Sequence, residues 1–397
     1  MWIFLDAMNR FRTIVVGLGA MGSAALRHLA GRGHRALGID RFSPPHAFGS
    51  SHGDTRITRL AIGEGAHYTP LALRSHALWR QLERETGVTL LVSTGGLFIS
   101  SPAKSAVMHV PDFFGNTVAA ARQYGIAHEL LDAAAIRQRF PAFNVADDEH
   151  GYFEPEAGYL RPEACIAAQL AAAEHDGATI HRNETVAGFD ASTGGITVAT
   201  DRDRYTADRL IVAAGAWLPT LVGSSIARHF KVYRQKIFWL DVDGGPATFL
   251  PGSCPVFIWE LQRKTQGIYG FPALDGPYGG VKVGTEQFTK ETTADACEMP
   301  ISAADIAAFH ADLIAPFLPG LASRCVKAVT CLYTVTPDFG FVIDAHPDSN
   351  RVLIVAPCSG HGFKHSPAIG EAAAAWADEG QAPFGIDAFT LARFAPV

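Results

Sequence analysis

The first hydrophobic block of the chain is short and β-branched. Thr13-Ile14-Val15-Val16 has the pattern of a strand buried on both faces. Gly17-x-Gly19-x-x-Gly22 follows at once, and the helix formers from Ser23 to Ala30 predict a helix that Gly31-x-Gly33 ends. Ala36-Leu37-Gly38-Ile39-Asp40 reads as a second strand closing on an acid about 20 residues after the first glycine. Residues 43–59 are polar and helix-poor, the pattern of a loop dense in side-chain donors. An amphipathic helix is predicted over 67–86 from Leu71, Leu73, Leu78, Trp79 and Leu82. A helix over 164–175, a strand at 178–180, Glu184-Thr185-Val186 and strands over 195–200 and 204–207 come next. Residues 210–217 read as another strand ending in a tight glycine turn. Lys282 stands in the glycine-bracketed strand Gly279-Gly280-Val281-Lys282-Val283-Gly284. Cys331 heads a strand before the loop Ser359-Gly360-His361-Gly362-Phe363-Lys364, which leads into an alanine-rich helix over 369–377.

Strand–helix units of the dinucleotide-binding kind thus occur at the start, near 160–220 and near 340–380. The intervening segments carry strands and turns without that signature. The fold class expected is α/β with an α+β second domain: a nucleotide-binding domain over 8–85, 150–225 and 325–397, interrupted by a substrate domain over 86–149 and 226–324. Residues 1–7 read as an N-terminal extension.

Composition narrows the class. With 397 residues, 48% hydrophobic and 18% charged, the chain has room for two or three domains and no disorder signature. A net charge of -6 without a basic block argues against nucleic acid as a partner. No apolar run approaches the roughly 20 residues needed to span a bilayer, so no membrane partner is expected. The first residues are too short and too acidic for a secretory signal, and the last are not a peroxisomal address. The six cysteines, 165, 254, 297, 325, 331 and 358, form no Cys-x-x-Cys pair, which fits free thiols, a cytoplasmic location and no metal site.

The glycines at 17, 19 and 22 make a tight turn, let the backbone approach a pyrophosphate and let the helix pack on the strand. The helix N-terminus offers N–H groups to the phosphates, and Asp40 would accept from a ribose hydroxyl. At this level FAD and a nicotinamide dinucleotide fit equally well.

Several further stretches decide between them: Gly49-Ser50-Ser51-His52-Gly53-Asp54-Thr55-Arg56-Ile57-Thr58-Arg59, Gly63-Glu64-Gly65, Ala213-Ala214-Gly215-Ala216-Trp217 and Arg234-Gln235. Tyr269-Gly270-Phe271-Pro272, Val281-Lys282-Val283-Gly284, Cys331-Leu332-Tyr333 and Ser359–Lys364 complete the set. In order and content they resemble the FAD-dependent amine oxidases of the monomeric sarcosine oxidase and N-methyltryptophan oxidase type. The resemblance implies a glutathione-reductase-like FAD domain, a mixed-sheet substrate domain, and FAD attached by a thioether to Cys331. It implies oxidation of a C–H bond beside a secondary amine, with dioxygen becoming peroxide. The substrate would be an N-methyl, other N-alkyl or cyclic amino acid, and the enzyme a monomer.

Roles follow from the same resemblance. Lys282 would be the cation that stabilises charge on dioxygen, worth roughly 4 kcal/mol at about 4 Å and an effective dielectric of about 20. That corresponds to about a thousandfold in rate. His52 and Arg56 would flank the flavin ring, and Tyr269 would line the substrate cavity with its hydroxyl near the amine. Arg59 and Lys364 would clamp the substrate carboxylate. The cofactor would contact Gly17, Gly19, Gly22, Asp40, Ser50, Ser51, His52, Val186, Gly215, Cys331, Gly360, Gly362, Phe363 and Lys364. The N-terminus of the last helix would favour negative charge on the reduced flavin. Two positions depart from the family's pattern. Ser51-His52 stands where two adjacent histidines are frequent. Glu286 stands where a histidine follows the strand lysine, and it puts a carboxylate beside the substrate. A dehydrogenase of a small amino or hydroxy acid using NAD(P) or FAD, and a non-catalytic flavoprotein, are the alternative readings.

Overall fold

The computed structural model describes residues 9–104, 110–276, 279–296, 300–380 and 387–394. The expected extension over 1–7 and Cys297 lie outside the described residues. The chain opens with β1 (Arg10–Val16), α1 (Ala20–Gly31) and β2 (Ala36–Asp40), then β3 (Arg56–Thr58), α2 (Thr69–Thr86), β4 (Leu91–Ser93) and β5 (Gly96–Ser100). Next come α3 (Phe113–Tyr124), β6 (Glu129–Asp132), α4 (Ala133–Arg139), β7 (His150–Glu154), β8 (Gly158–Leu160) and α5 (Pro162–His175). They are followed by β9 (Thr179–Arg182), β10 (Val186–Ser192), β11 (Gly195–Thr200), β12 (Arg204–Val212), β13 (Lys231–Val242), β14 (Val256–Trp259) and β15 (Ile268–Ala273). The last elements are β16 (Val281–Gly284), β17 (Glu291–Thr292), α6 (Ala303–Phe309), β18 (Leu321–Val335), β19 (Val342–His346), β20 (Ser349–Ala356) and α7 (Ser366–Glu379).

Three sheets result. In the first, β20, β12, β1, β2 and β9 run parallel, and β10 and β11 form an antiparallel ribbon on β12. The second has the order β17-β13-β16-β15-β14-β5-β7-β6, with β18 antiparallel along β13. A small third sheet joins β3, β8 and β4. Helices α1, α5 and α7 share one apolar cluster with Val15, Ile211 and Leu353 of the first sheet. The second sheet packs Phe238 and Phe257 with Phe309 and Leu313. Gly22 is the hinge of the first arrangement: a Cβ there would lie 1.7 Å from the carbonyl oxygen of Gly17, so any side chain would push α1 off β1.

Three expectations are corrected. The strands expected at 204–207 and 210–217 are one strand, β12, which ends at Val212; Gly215–Thr220 is a 3-10 turn. β1 pairs with β12 from Thr206 to Val212, while on its other side β12 is flanked first by β11 and then by β20, which keeps it one strand. The loop expected over 43–59 contains β3, which pairs with β8. Cys331 lies deep in β18 rather than at its head, because the first half of that strand, with Ser323, Arg324 and Lys327, is largely solvent-facing. β7 and all of β18 belong to the second sheet. Among the described residues no helix is long and apolar enough to cross a membrane.

Candidate functional site

Two cavities meet at Ala213, just beyond the end of β12. The smaller is lined by Gly17, Gly19, Asp40, Glu184 and Val186. The Asp40 carboxylate accepts from the backbone N–H of Leu18 (2.7 Å) and of Phe42 (2.8 Å), which fixes it against the glycine turn. The larger cavity begins at Ala20 and Met21, in the first turn of α1, and runs under the second sheet. No side chain caps α1 at Gly19, and Gly19 lines one cavity and Ala20 the other, so the N-terminus of α1 stands where they meet, a place that favours a pyrophosphate. Two buried hydroxyls, Thr334 Oγ1 and Ser359 Oγ, have no hydrogen-bond partner among the described residues, and Thr334 lines the larger cavity. A glycine turn, an uncapped helix end and the orphaned Thr334 hydroxyl along one elongated space fit a dinucleotide carrying a ring system.

The larger cavity gathers most of the expected residues. Ser50, Ser51, Arg56, Arg59, Gly215, Tyr269, Lys282, Glu286, Cys331, Gly360, Gly362, Phe363 and Lys364 all line it. Gly22 and His52 line neither cavity. Gly22 lies beneath the turn, and His52 is buried behind Arg56 with its Nε2 lacking a partner among the described residues. Burial, Arg56 and Lys282 bring the pKa of His52 down to about 4, so the imidazole is neutral at neutral pH.

Lys282 is buried on β16, and its Nζ donates to the carbonyl oxygens of Gly53 (2.7 Å) and Thr55 (2.7 Å) and to Thr55 Oγ1 (3.1 Å). It also lies over the Phe271 ring, 4.6 Å from the centroid, a cation–π contact. Burial first, and then Arg56, push its pKa well below the ordinary lysine value, while the three oxygens favour the ammonium. Arg56 itself donates to the carbonyls of Thr55 (2.8 Å) and Ser50 (2.6 Å). The bracket at Gly284 has a steric reason: a Cβ there would stand 2.6 Å from the Tyr269 hydroxyl. Tyr269 hydrogen-bonds to Tyr333, and burial raises the pKa of both phenols, which stay protonated.

At the other end, Arg59 and Lys364 are both buried. Arg59 donates to Glu64 (2.6 Å) and to the Ala61 carbonyl (2.8 Å), and Lys364 donates to the His361 carbonyl (2.8 Å). The expected pair of cations therefore shares one cavity, but Arg59 already carries a carboxylate partner. Those two bonds use two of the five N–H donors of the guanidinium. Burial lowers the pKa of Lys364 to about 7, with Glu64 supporting the charge, Arg59 opposing it and Glu286 again supporting it.

Two residues of this site were not singled out in the sequence as site residues. Tyr333 follows Cys331 by two on β18, so the strand period puts both side chains on one face. Glu64, in Gly63-Glu64-Gly65, is the carboxylate paired with Arg59. The period-two relation could have found the first; nothing local marks the second.

Comparison with known proteins bears on this geometry. Residues 12–376 match the family described as FAD dependent oxidoreductase. A monomeric sarcosine oxidase of Streptomyces avermitilis is 38% identical over 388 residues, covering 97% of this chain and 98% of that protein. An N-methyl-L-tryptophan oxidase of Yersinia pestis is 35% identical over 386 residues, covering 96% of this chain and 98% of that protein. Among solved structures, NikD, an unusual amino acid oxidase essential for nikkomycin biosynthesis, superposes with a TM-score of 0.81 at 24% identity, over 96% of this chain and 97% of that one.

Proposed function

The chain belongs to the FAD dependent oxidoreductase family, and from that premise we propose that it oxidises the C–N bond of a secondary amino acid with dioxygen. The products would be an imine, which water hydrolyses to an aldehyde and an amine, and hydrogen peroxide. Its similarity to monomeric sarcosine oxidase and N-methyl-L-tryptophan oxidase along nearly the whole chain supports an N-methyl, other N-alkyl or cyclic amino acid as substrate. The observation that carries the reading is one cavity holding Arg59 and Lys364, Lys282 and Tyr269, and opening at Ala213 onto the dinucleotide turn. The glycine turn at Gly17 and Gly19, with Ser50, Ser51, Gly215 and Cys331, would hold FAD along the two cavities, and the flavin would supply the two-electron redox chemistry that couples the amine to dioxygen.

The chain's own residues supply placement and charge. Arg59 and Lys364 take the substrate carboxylate, each charge-assisted hydrogen bond contributing about 1.5–3 kcal/mol. To do so Arg59 shares its guanidinium with Glu64. The walls formed by Phe113, Ile237, Ile258 and Phe271 keep water from the amine. Tyr269, protonated and tied to Tyr333, offers a hydroxyl to the substrate nitrogen. Lys282 places an ammonium beside dioxygen and stabilises the negative charge that develops there. Cys331 provides the sulfur that tethers the cofactor. Glu286, a carboxylate among Lys364, Tyr269 and Tyr333, directs selection away from plain sarcosine toward a more substituted N-alkyl or cyclic amino acid.

A peroxide assay over a panel of amines tests the reading. Sarcosine, N-methyltryptophan, pipecolate and other N-alkyl amino acids should yield peroxide at widely different rates, and 2-hydroxy acids none. Reduction of NAD(P) in place of peroxide formation would overturn it, as would a bound flavin that no member of the panel reduces.

A further inference from the structure

The ammonium of Lys282 is held by a loop whose opposite side is held by a carboxylate with no part in the reaction above. Glu163, in the first turn of α5, accepts through Oε1 from the backbone N–H of Gly53 (2.6 Å) and Asp54 (3.2 Å). Those two residues are consecutive at positive φ, 95° and 68°. Successive N–H groups in such a turn can converge on one anion. The carbonyls of Gly53 and Thr55 accept instead from Lys282, both at 2.7 Å. The peptide units of the Gly53–Thr55 loop therefore stand in series between an anion and a cation. Strand register adds a second grip. Trp239 on β13 pairs with Lys282 on β16 and with Lys327 on β18. Both ammonium groups approach its ring, at 5.4 and 4.5 Å from the centroid, and Lys327 donates to Asp54 at 2.6 Å.

We infer that Glu163 is a positioning residue for Lys282: by holding the Gly53–Thr55 loop from the nucleotide-binding half, it fixes where the oxygen-facing ammonium stands. This rests on the assignment of Lys282 as the cation that serves dioxygen. The charges around Lys282 come from every side. Arg56 on β3 opposes its protonation; Asp54 and Glu163 support it, and Cys331 as a thioether would carry no charge. His52 lies close enough to feel its charge, and Lys327 stands beyond the Trp239 ring. Removing the Glu163 charge therefore lowers the pH at which Lys282 gives up its proton, and removing the Lys327 charge raises it.

The test uses the holoenzyme, with substrate-reduced flavin mixed with dioxygen in a stopped-flow instrument across pH. Glu163→Gln should slow reoxidation about tenfold, the effect of one pKa unit, with reduction by substrate changed less than about twofold. The pH at which reoxidation falls off should move down in Glu163→Gln and up in Lys327→Met. Hydrogen exchange should rise in the peptide spanning Gly53–Thr55 of Glu163→Ala and stay unchanged elsewhere. Lys282→Met is the reference. If it slows reoxidation while Glu163→Gln and Lys327→Met leave rate and pH profile as in the unsubstituted enzyme, the inference about Glu163 fails and the role of Lys282 stands. If Lys282→Met itself reoxidises normally, the assignment of Lys282 fails. Equal slowing of both half-reactions with no shift in the pH profile would make Glu163 a structural residue only.

Discussion

Burial pulls the pKa of Lys364 down to about 7, against the support of Glu64 and Glu286. That value makes its charge a function of pH near neutrality. Below about 7 the ammonium is present and can bind a carboxylate; as pH rises through that value the charge is lost. A bound carboxylate favours the protonated form and raises the pKa in the complex. Affinity for a non-oxidisable carboxylate, such as a thioether analogue of an N-methyl amino acid, should therefore fall up to tenfold per pH unit above about 7. It should level off where Arg59 alone remains. Titration of the flavin spectrum with the analogue at pH 6 to 9 (roughly two units around that pKa) measures this. Lys364→Met should bind weakly at every pH with a flat profile; an unchanged slope would assign the titration to another group.

The neighbouring strands β15 and β16 show why Lys282 was readable and other site residues were not. Its glycine brackets are visible in the sequence, and Gly284 leaves room for the Tyr269 hydroxyl, which a Cβ would approach to 2.6 Å. Gly284→Ala should force Tyr269 off its place and break its bond to Tyr333. We expect kcat/KM to fall about tenfold and stability by about 1–3 kcal/mol, the usual cost of overpacking; steady-state kinetics and a denaturant melt measure the two. Normal kinetics with lowered stability would remove the Tyr269 hydroxyl from the reaction. The opening strand, the glycine turn and the strand ending at Asp40 were equally legible, since each is a local pattern that one element satisfies. β18 was not, because a solvent-facing first half of mixed composition carries no strand signal until β13 is beside it. Glu163 gave no signal at all. A glutamate in the first turn of a helix is ordinary there, and only folding brings it to Gly53.

Taken whole, the molecule places the glycine turn on the first sheet and Cys331 on the second, with the two joined cavities between them. A dinucleotide lying along those cavities is held by one sheet at its pyrophosphate end and would be tethered to the other through Cys331 at its ring end. The two attachments contribute differently to stability. A ligand that can dissociate stabilises by RT ln(1 + [L]/Kd) and makes the melting temperature depend on its concentration, whereas a covalent one does not. Cys331→Ala should therefore release yellow FAD into the supernatant on acid precipitation, while the unsubstituted protein keeps its colour in the pellet. The melting temperature of Cys331→Ala should also rise with added FAD, and that of the unsubstituted holoenzyme should stay constant. A coloured pellet from Cys331→Ala would move the tether to another residue, with Cys358, which lines the same cavity, the next to replace. A colourless pellet from both proteins would mean that the glycine turn and the orphaned Thr334 hydroxyl hold the cofactor without a bond, leaving the second sheet to act only as the roof of the site.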